Sequence, residues 1–533
     1  MKRENLANYV GLFLLLVCFG VAVFRIALRP SGGSEEGVEH IRFAHWQLEG
    51  GLREAFDQLA REYEALHPGV KVEQVAIPVR TFPQWTRTQL IGETITELVQ
   101  IGRGTDDEVF ARFFVPLSDH VEQPNPYNAG TELEGVPLRD TILDGMQGSL
   151  NYRANLLEYY GVPVSMFTVR MFYNRTLWRT MLGDLPPPSS YDEFLSLCER
   201  VRTISRETGR AVIPVAGSKD NAPLLLERLF SSQVQRLHQE LDPQKNMRPV
   251  VTEIALSLLQ GRWSVDDPSY ASGLEIMREA AAYFQPGYST LARDDATFHF
   301  LQSRALMIAT GSWDSPSFRE QADFEIGVFT LPVPAPEHPR YGPYTLGRGS
   351  EAETGTGLSF GIPKQTKNFA RALDFLHFLS SKKGNTTFSR VSGWLPAVVG
   401  VEPPDHVKPF LPVTDGYVQG FSFQMKMDGG NAARVITNAE NLLVGPAGSV
   451  QAFQDAVREP LKGGIRQDLE RSNHLTTLNT NRQDALLLAY EMLNARSDPP
   501  AGAARKIDEI HELQSKLEAT TAWTEHELGR LAP

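Results

Sequence analysis

The amino-acid sequence predicts an α/β protein with two lobes. Short apolar strand patterns alternate with amphipathic helix patterns on both sides of the midpoint of this 533-residue chain. Strands separated by helices are typical of βαβ units, in which crossover helices cover a parallel sheet. The length also exceeds what one core usually holds, since compact domains contain about 100–200 residues.

The first predicted element is an apolar helix at residues 6–24, with basic residues on both sides. About 20 apolar residues span a bilayer, whereas the apolar part of a cleaved signal is usually about 7–15 residues long. Residues 1–29 are therefore interpreted as an uncleaved transmembrane anchor, with a cleaved signal peptide as the alternative. The basic residues at both ends leave its orientation open. Residues 30–39, rich in glycine and serine, are interpreted as a flexible linker.

The folded part begins with a strand pattern at residues 41–43. A helix follows, because apolar residues then recur every three or four positions. His67, Pro68 and Gly69 end this helix, and residues 70–72 start a second strand. The apolar positions of the helix are Leu52, Phe56, Leu59, Tyr63 and Leu66. Strand, helix and strand in this short stretch predict a parallel sheet.

The same alternation returns later in the chain. Ser190 is predicted to cap a helix, since Glu193 follows three residues later, as in a capping box. Apolar runs at 306–308 and 358–362 are strand candidates, and an amphipathic helix pattern begins at Phe369. From about residue 425 onward, helix patterns dominate.

The last segment, residues 501–531, is charged and carries a possible apolar stripe. Two interpretations stay open: a terminal helix packed on its own lobe, or a docking helix for a partner. The stripe is too short and irregular to predict a coiled coil, which needs three or four sustained heptads. Its members are Ile507, Ile510, Leu513, Leu517, Leu528 and Leu531.

Composition and charge exclude several classes of function. The chain is 41% hydrophobic and 22% charged, which is typical of a soluble globular protein. Its net charge of -12 argues against nucleic acid as a partner. Cys18 and Cys198 lie in separate segments, so neither a disulfide framework nor a cysteine-based metal cluster is predicted.

A search for catalytic motifs favours a protein without enzymatic activity. The sequence contains no phosphate-binding loop, no H-E-x-x-H and no G-x-S-x-G. The acidic pairs at 106–107 and 294–295 are interpreted as solvated loops rather than as the carboxylates of a hydrolase. No cofactor and no metal are expected.

Tryptophans stand at the ends of several predicted strands. Trp46 follows the first strand, Trp85 follows the second after Arg80, and Trp313 follows the strand at 306–308. Trp394 lies in a Gly-Trp-Leu-Pro turn. Ligands of open α/β sheets bind beyond the carboxyl ends of strands, and an indole offers a flat apolar surface to a sugar ring. A tryptophan taken alone is more often a packing residue of a core, and the shared strand-end position favours ligand contact for Trp313 and Trp46 in particular.

Five short blocks, in a fixed order along residues 41–400, carry a family resemblance. They are the strand–helix–strand start with residues 67–72, the run Tyr160-Gly161-Val162-Pro163-Val164, the run Phe172-Tyr173-Asn174-Arg175 with the helix start at 186–194, residues 305–332 around Gly311-Ser312-Trp313, and Gly361-Ile362-Pro363-Lys364 with its helix. With these blocks the chain resembles the family 1 extracellular solute-binding proteins, the carbohydrate group that includes maltose-binding protein.

The resemblance implies a type II periplasmic-binding-protein fold, in which strands cross a hinge between two lobes. Lobe 1 is expected at residues 40–160 and 331–385, lobe 2 at 161–330 and 386–497, and a C-terminal helical extension at 498–533. The chain departs from the family pattern at Thr96-Glu97-Leu98, where the family commonly has Pro-Asp-Val or Pro-Asp-Ile.

The resemblance also implies a function. The expected protein is the extracytoplasmic, periplasmic substrate-binding component of an ABC importer, a membrane-anchored monomer that closes on a carbohydrate and is recognised by permease subunits. A membrane-tethered sugar sensor or scaffold is one alternative, and a glycan-active hydrolase is another. The identity of the sugar stays open. The expected ligand-binding residues are Trp46, Gln47, Arg80, Trp85, Gly102, Arg103, Asn221, Trp313, Asp314 and Trp394.

Overall fold

The computed structural model describes residues 38–531, apart from 103–104, 243–244, 246–248, 353, 446 and 500–501. The predicted membrane helix at 6–24 and the predicted ligand contact Arg103 therefore lie outside the described residues. Within the described part of the chain, no helix is both long enough and apolar enough to cross a membrane.

Lobe 1 is built on a six-stranded sheet in the order β12-β6-β11-β3-β1-β2. The predicted βαβ start is confirmed, because β1 pairs with β2 in parallel, Glu39 opposite Val70, and with β3 in parallel, Phe43 opposite Leu98. Strand β11 runs antiparallel to both β3 and β6. The strands are β1 (Glu39–His45), β2 (Val70–Ala76), β3 (Leu98–Gln100), β6 (Val162–Met166), β11 (Thr356–Gly361) and β12 (Leu395–Pro396), and a separate hairpin is formed by β4 (Tyr152–Arg153) and β5 (Glu158–Tyr159).

Helices cover both faces of the lobe 1 sheet. Helix α1 buries the predicted apolar positions Phe56, Leu59 and Tyr63 against the sheet. It ends at His67, and Gly69 takes a φ of 93°, a left-handed conformation that glycine adopts without strain. The helices of this lobe are α1 (Gly50–Leu66), α2 (Phe82–Ile91), α3 (Asp107–Phe113), α4 (Ser118–Val121), α13 (Phe369–Leu379) and α14 (Lys382–Ser392).

Lobe 2 is built on a four-stranded sheet in the order β10-β7-β9-β8. The capping prediction is confirmed in part: the Ser190 side chain accepts a hydrogen bond from the Glu193 backbone, whereas the Glu193 carboxylate accepts from Ser189 instead. The strands are β7 (Val169–Asn174), β8 (Ile213–Ala216), β9 (Ala305–Gly311) and β10 (Ile326–Phe329). The helices are α5 (Arg175–Leu182), α6 (Tyr191–Thr208), α7 (Ala222–Gln233), α8 (Gln235–Glu240), α9 (Val251–Leu259), α10 (Pro268–Ala281), α11 (Arg293–Leu301) and α12 (Ser315–Gln321).

The chain crosses between the two sheets at residues 167–168, again between β10 and β11, and a third time after β12. The predicted domain ranges place residues from 161 and from 386 in lobe 2, whereas β6 and β12 both lie in the lobe 1 sheet. The reason is pairing: β6 lies against β11 along its length, with Val162 opposite Phe360 and Met166 opposite Thr356. An apolar run shows that a strand exists but not which sheet it joins.

Three helices end the chain, α15 (Asn431–Val444), α16 (Val450–Asn494) and α17 (Ala503–Arg530). Helix α16 is 45 residues long and begins at the cap Ser449, whose side chain accepts a hydrogen bond from the Ala452 backbone. Helix α17 returns antiparallel to it, and its predicted stripe buries Ile510 and Leu528. The helical extension thus starts well before residue 498, because α16 continues without a break out of lobe 2.

Candidate ligand-binding site

The two lobes meet where β1 and β3 of lobe 1 end and where β9 of lobe 2 ends. Trp313, just after β9, packs edge-to-face on the hinge residue Phe167, with ring centroids 5.7 Å apart. Gly51, at the start of α1, faces Pro316 of α12, since a Cβ on Gly51 would lie 3.9 Å from the Pro316 Cβ. The strand ends that were expected to hold a ligand therefore border one boundary between the lobes.

On the lobe 1 side, three of the predicted residues form one cluster. The Trp46 ring packs edge-to-face on Phe82, at a centroid distance of 5.0 Å, and the Trp85 ring also contacts Phe82, at 5.9 Å. A Cβ on Gly102 would lie 3.6 Å from the Trp46 ring, so the loop after β3 comes within contact distance of this indole. Both indoles are half-buried, which leaves part of each ring open to a ligand.

The loop after β1 is held in place by a buried histidine, His45. The Gln47 backbone N–H donates to Nδ1 of His45 at 3.2 Å, and the other ring nitrogen of His45 lies 3.1 Å from Oε1 of Gln74. Burial lowers the pKa of His45 to about 4, so the ring is neutral near pH 7. Gln47 is itself buried, and Arg80 is exposed in the loop after β2. His45 thus fixes the loop that carries Trp46.

On the lobe 2 side, the Trp313 indole lies directly over Gly311. A Cβ on Gly311 would come within 2.1 Å of that ring, so only glycine fits at this position. Trp313 is half-buried and packs partly against the apolar cluster of lobe 1. Of the predicted residues of lobe 2, Trp313 is the one whose ring reaches the other lobe.

A charged group lies next to Trp313. Asp314 is almost fully buried, accepts a hydrogen bond from the Thr310 hydroxyl at 2.5 Å, and forms an ion pair with Arg293. Burial raises the pKa of Asp314, whereas the Arg293 guanidinium acts in the opposite direction. The Glu49 carboxylate of lobe 1 also raises the pKa of Asp314, which places these two acidic groups near each other across the boundary.

Glu49 and Arg293 are candidate residues that the sequence analysis missed. Oε2 of Glu49 is buried, and no described residue hydrogen-bonds to it. The position of Glu49 could have been predicted from the end of β1, because Glu49 lies two residues after Gln47 in the same loop. Arg293 opens α11, far from any strand end in sequence, and only the fold brings it to Asp314.

Two predicted contacts are packing residues in this conformation. The Asn221 side chain is buried, accepts from the Ser218 hydroxyl at 2.8 Å and donates to the Ala309 carbonyl at 3.1 Å, so both ends of its amide are used inside lobe 2. Trp394 is 2% exposed in the core of lobe 1 and packs edge-to-face on Phe167 at 5.0 Å. For Trp394 the core alternative holds, because the turn that carries it runs straight into β12.

The arrangement suits binding of a small polar molecule. Indole faces provide apolar surface, while carboxylates and a guanidinium provide hydrogen-bond acceptors and donors at the same boundary. Among the described residues, no group of three or more His, Cys, Asp or Glu side chains is placed to hold a metal ion. Two cavities, of about 580 and 480 Å³, lie away from these residues, so the candidate site is defined by its side chains and not by an enclosed pocket.

Comparison with known proteins gives one family match. A family model described as "Bacterial extracellular solute-binding protein" matches residues 58–410. A binding protein of Brucella abortus (strain 2308) is 23% identical over 345 residues, which cover 64% of this chain and 72% of the relative. The multiple sugar-binding protein of Streptococcus mutans is 24% identical over 268 residues, 49% of this chain and 56% of the relative.

Solved structures share the two-lobed fold. The apo form of RafE from Streptococcus pneumoniae matches 80% of this chain and 98% of its own, with a TM-score of 0.54 at 16% identity. A chitin oligosaccharide binding protein matches 80% of this chain and 99% of its own, with a TM-score of 0.52 at 18% identity. At such low identity the likeness extends to the fold alone, and the family match ends before α15.

Proposed function

Since the chain belongs to the bacterial extracellular solute-binding protein family, we propose that it is the sugar-binding component of an ABC importer, which closes its two lobes on a sugar or oligosaccharide outside the cytoplasm. The observation that carries this proposal is the position of Trp313. Its half-buried indole extends from lobe 2 to the hinge residue Phe167, beside the acidic groups of Asp314 and Glu49. Trp46 provides a second indole at the strand ends of lobe 1.

These side chains match the two surfaces of a sugar ring. The ring's C–H face is apolar and stacks on an indole, whereas its hydroxyl rim exchanges hydrogen bonds with carboxylates and guanidinium groups. Oε2 of Glu49, which no described residue hydrogen-bonds, is the acceptor we assign to a sugar hydroxyl. That oxygen is buried without a hydrogen-bond donor among the described residues of the ligand-free chain, which is costly, so a hydroxyl that reaches it when the lobes move gains affinity by supplying the missing donor.

Binding at a boundary between lobes is coupled to closure. A ligand that touches both lobes gains free energy only in the closed form, so it shifts the population toward closure by its difference in affinity for the two forms. In an importer, permease subunits recognise that closed form. The names of two relatives, the multiple sugar-binding protein and the chitin oligosaccharide binding protein, support sugar as the class of ligand.

The proposal includes a membrane tether at residues 6–24, which rests on the length of this apolar segment. A tethered chain should sediment with membranes after an alkaline carbonate wash. Recovery of the full-length chain in the supernatant would contradict the tether without affecting the binding proposal. A tethered sugar sensor is the second candidate, favoured by α16 and α17, which extend beyond the family match.

Binding is tested by titrating the detergent-solubilised full chain with mono- and oligosaccharides and measuring heat or thermal stability. A ligand at 100 times its dissociation constant should stabilise the fold by about 2.7 kcal/mol. Trp313→Ala should weaken sugar affinity about 5- to 150-fold, the equivalent of about 1–3 kcal/mol for one buried aromatic face.

Tyr283→Ala is the control, since this half-buried aromatic side chain packs on the lobe 2 core beside Arg202, outside both the candidate site and helices α16 and α17. Circular dichroism must show that both variants fold. Equal affinity of wild type and Trp313→Ala would contradict the stacking role, and release of shorter oligosaccharides during the titration would identify a hydrolase instead.

A further inference from the structure

The C-terminal hairpin of α16 and α17 is anchored in lobe 2 by one end, which is called the root. The first half of α16 places one apolar stripe in the lobe 2 core: Phe453, Val457, Leu461, Ile465 and Leu469, all fully buried. Polar contacts add to it, since the Gln454 side chain donates to the Val265 carbonyl at 2.8 Å and Arg458 pairs with Asp266 at 2.8 Å. This end of α16 is part of the fold of lobe 2.

The end of α17 returns to the same lobe. Leu528 joins the lobe 2 core, and the side chain of Gln260, the residue that follows α9, donates to the Glu527 carboxylate at 2.7 Å. Arg466 of α16 donates to the Leu531 carbonyl at 2.8 Å, which ties the two helices together at this end. Both ends of the hairpin's base are therefore fixed to lobe 2.

Between the lobes the two helices pack mainly on each other. From Leu469 to Gln483, α16 rises about 21 Å, at about 1.5 Å per residue. Ile510 of α17 is fully buried, and the Gln514 side chain hydrogen-bonds to Asp484 of α16. Two helices packed in this way form one rigid unit, called the rod. A displacement of one end of the rod therefore moves its other end as well.

The other end of the hairpin, where Gln483, Arg505 and Lys506 lie, is called the tip. It contacts lobe 1 at the loop between β4 and β5. The Lys506 ammonium lies 3.1 Å from Oε1 of Glu158 and also donates to the Leu157 carbonyl; the two side chains are only 11% and 15% exposed. Gln483 donates to the Asn155 carbonyl at 3.3 Å. Arg505 lies 3.6 Å from Glu122 after α4.

These tip contacts are polar, and the surface beside them is not closely packed. A cavity of about 480 Å³ separates α16 from α3 of lobe 1. It is lined by Asp107, Glu108, Arg112, Asn155, Arg482 and Leu486, among others. Polar groups that separate are rehydrated, whereas apolar side chains taken out of a core find no replacement partner in water. This contact, although mostly buried, can therefore detach in a way that the apolar stripe of α16 cannot.

We propose that α16 and α17 form a strap that holds the two lobes at a set separation and must release Lys506 when the lobes rotate. The three chain crossings, including the hinge at 167–168, connect the lobes covalently, and the strap adds a non-covalent connection at another place. Any rotation about that hinge moves the β4–β5 loop relative to the rod, because the rod is fixed to lobe 2. The Lys506–Glu158 contact then breaks or shifts.

The strap affects ligand binding by changing how many free molecules have each lobe separation. A ligand binds only the molecules whose lobe separation fits it. If the strap favours a different separation, the apparent affinity is reduced in proportion to the fraction of molecules that can bind. This consequence rests on the hinge closure of the proposed function. The strap itself is tested without any ligand, so its failure is distinguishable from failure of sugar binding.

The test measures the distance between the lobes by single-molecule energy transfer. Dyes are attached to Arg61→Cys on α1 and Arg206→Cys on α6, both exposed positions, in a Cys18→Ser background; Cys198 is buried and unreactive. Lys506→Glu should broaden or shift the distance distribution of the ligand-free chain, because two carboxylates then face each other at the tip. Lys506→Ala should do so to a smaller extent.

The double variant Lys506→Glu with Glu158→Lys should restore the original distribution, since it recreates the ion pair with exchanged ends. Lys516→Ala, an exposed lysine on the same helix, is the control and should leave the distribution unchanged. An unchanged distribution in folded Lys506→Glu would overturn the strap. If Lys506→Glu fails to fold, Lys506→Ala and the exchanged double variant are compared with wild type instead. Distance distributions of these two variants that are identical to that of wild type would then overturn the strap.

Discussion

The two ends of the C-terminal hairpin attach to the molecule by different kinds of contact. At the root, fully buried apolar side chains such as Leu461 and Ile465 join the core of lobe 2. At the tip, Lys506, Gln483 and Arg505 reach lobe 1 through ion pairs and backbone carbonyls. Buried apolar area stabilises by about 25 cal/mol per Å² and has no substitute in water, whereas a polar group exposed by separation is rehydrated. The root is therefore permanent, and the tip is suited to detach.

The largest expected effect is at the root. Leu461→Ala should lower the free energy of unfolding by about 2–5 kcal/mol, because it leaves a cavity in a packed core in addition to losing apolar contacts. Urea denaturation measures this change. Lys506→Ala should cost less under the same conditions, and equal losses at root and tip would contradict the distinction between them.

A second prediction contrasts the tip with a polar contact that is fully buried. His45 should make stability depend on pH, since burial lowers its pKa to about 4 in the folded chain. In the unfolded chain the imidazole takes up a proton near pH 6.5, so unfolding binds a proton between about pH 6.5 and 4, and stability falls as the pH falls through that window.

The expected loss from His45 is up to about 3 kcal/mol, at about 1.4 kcal/mol per pH unit. Comparing wild type with His45→Gln by urea unfolding from pH 7.5 to 4.5 isolates this contribution. His377, whose pKa burial also lowers to about 4, stays present in both chains and cancels in the comparison. The same slope in both chains would show that His45 is not held neutral.

The tip should contribute less to global stability than the root. Lys506→Ala is expected to lower the free energy of unfolding by about 1–2 kcal/mol, because it leaves the Glu158 carboxylate, only 15% exposed, without its charged partner. Its principal effect should be on the distance between the lobes. A loss as large as that of Leu461→Ala would mean that the tip is part of the fold and not a releasable contact.

The smallest change in the distance between the lobes is expected when salt is added. Raising the ionic strength from about 0.1 M to 1 M shortens the screening length from about 10 Å to 3 Å, which weakens the exposed ion pair of Arg505 with Glu122 more than the nearly buried pair of Lys506 with Glu158 and leaves apolar packing in place. The ligand-free distance distribution of wild type should then move part of the way toward that of Lys506→Ala, while the variant itself changes little. A salt response of equal size in both chains would point to charges elsewhere.

The sequence predicted the first half of the fold well because local signals are strong there. The apolar spacing of α1 and the His67-Pro68-Gly69 stop depend only on residues within a few positions, and β1 and β2 follow at the predicted places. The strands at 306–308 and 358–362 are likewise confirmed as β9 and β11. Which sheet β6 and β12 join was not predictable, since β6 pairs with β11 and β12 pairs with β6, each across about 200 residues of chain.

The candidate site was predicted in part for the same reason. Trp46 and Trp313 follow strands that the pattern located, so their positions at strand ends followed from strand direction, and Trp313 contacts the hinge residue Phe167. Trp394 carries a similar local signal, yet it lies in the core against Phe167. Glu49 lies in the loop after β1, where strand direction could have located it, whereas Arg293 reaches Asp314 through a contact between distant segments, which periodicity does not record.

The sequence by itself determined the two-lobed α/β class, the order of most strands and helices, and the absence of catalytic motifs, because each depends on residue types and on spacing along the chain. The tertiary structure alone decided which indoles meet at the boundary and where the chain crosses the hinge. It also decided that a charged C-terminal helix returns from lobe 2 to touch lobe 1. The physical reason is that burial and pairing of such groups are set by partners far away in sequence, and apolar periodicity shows only that a face is buried, not against what.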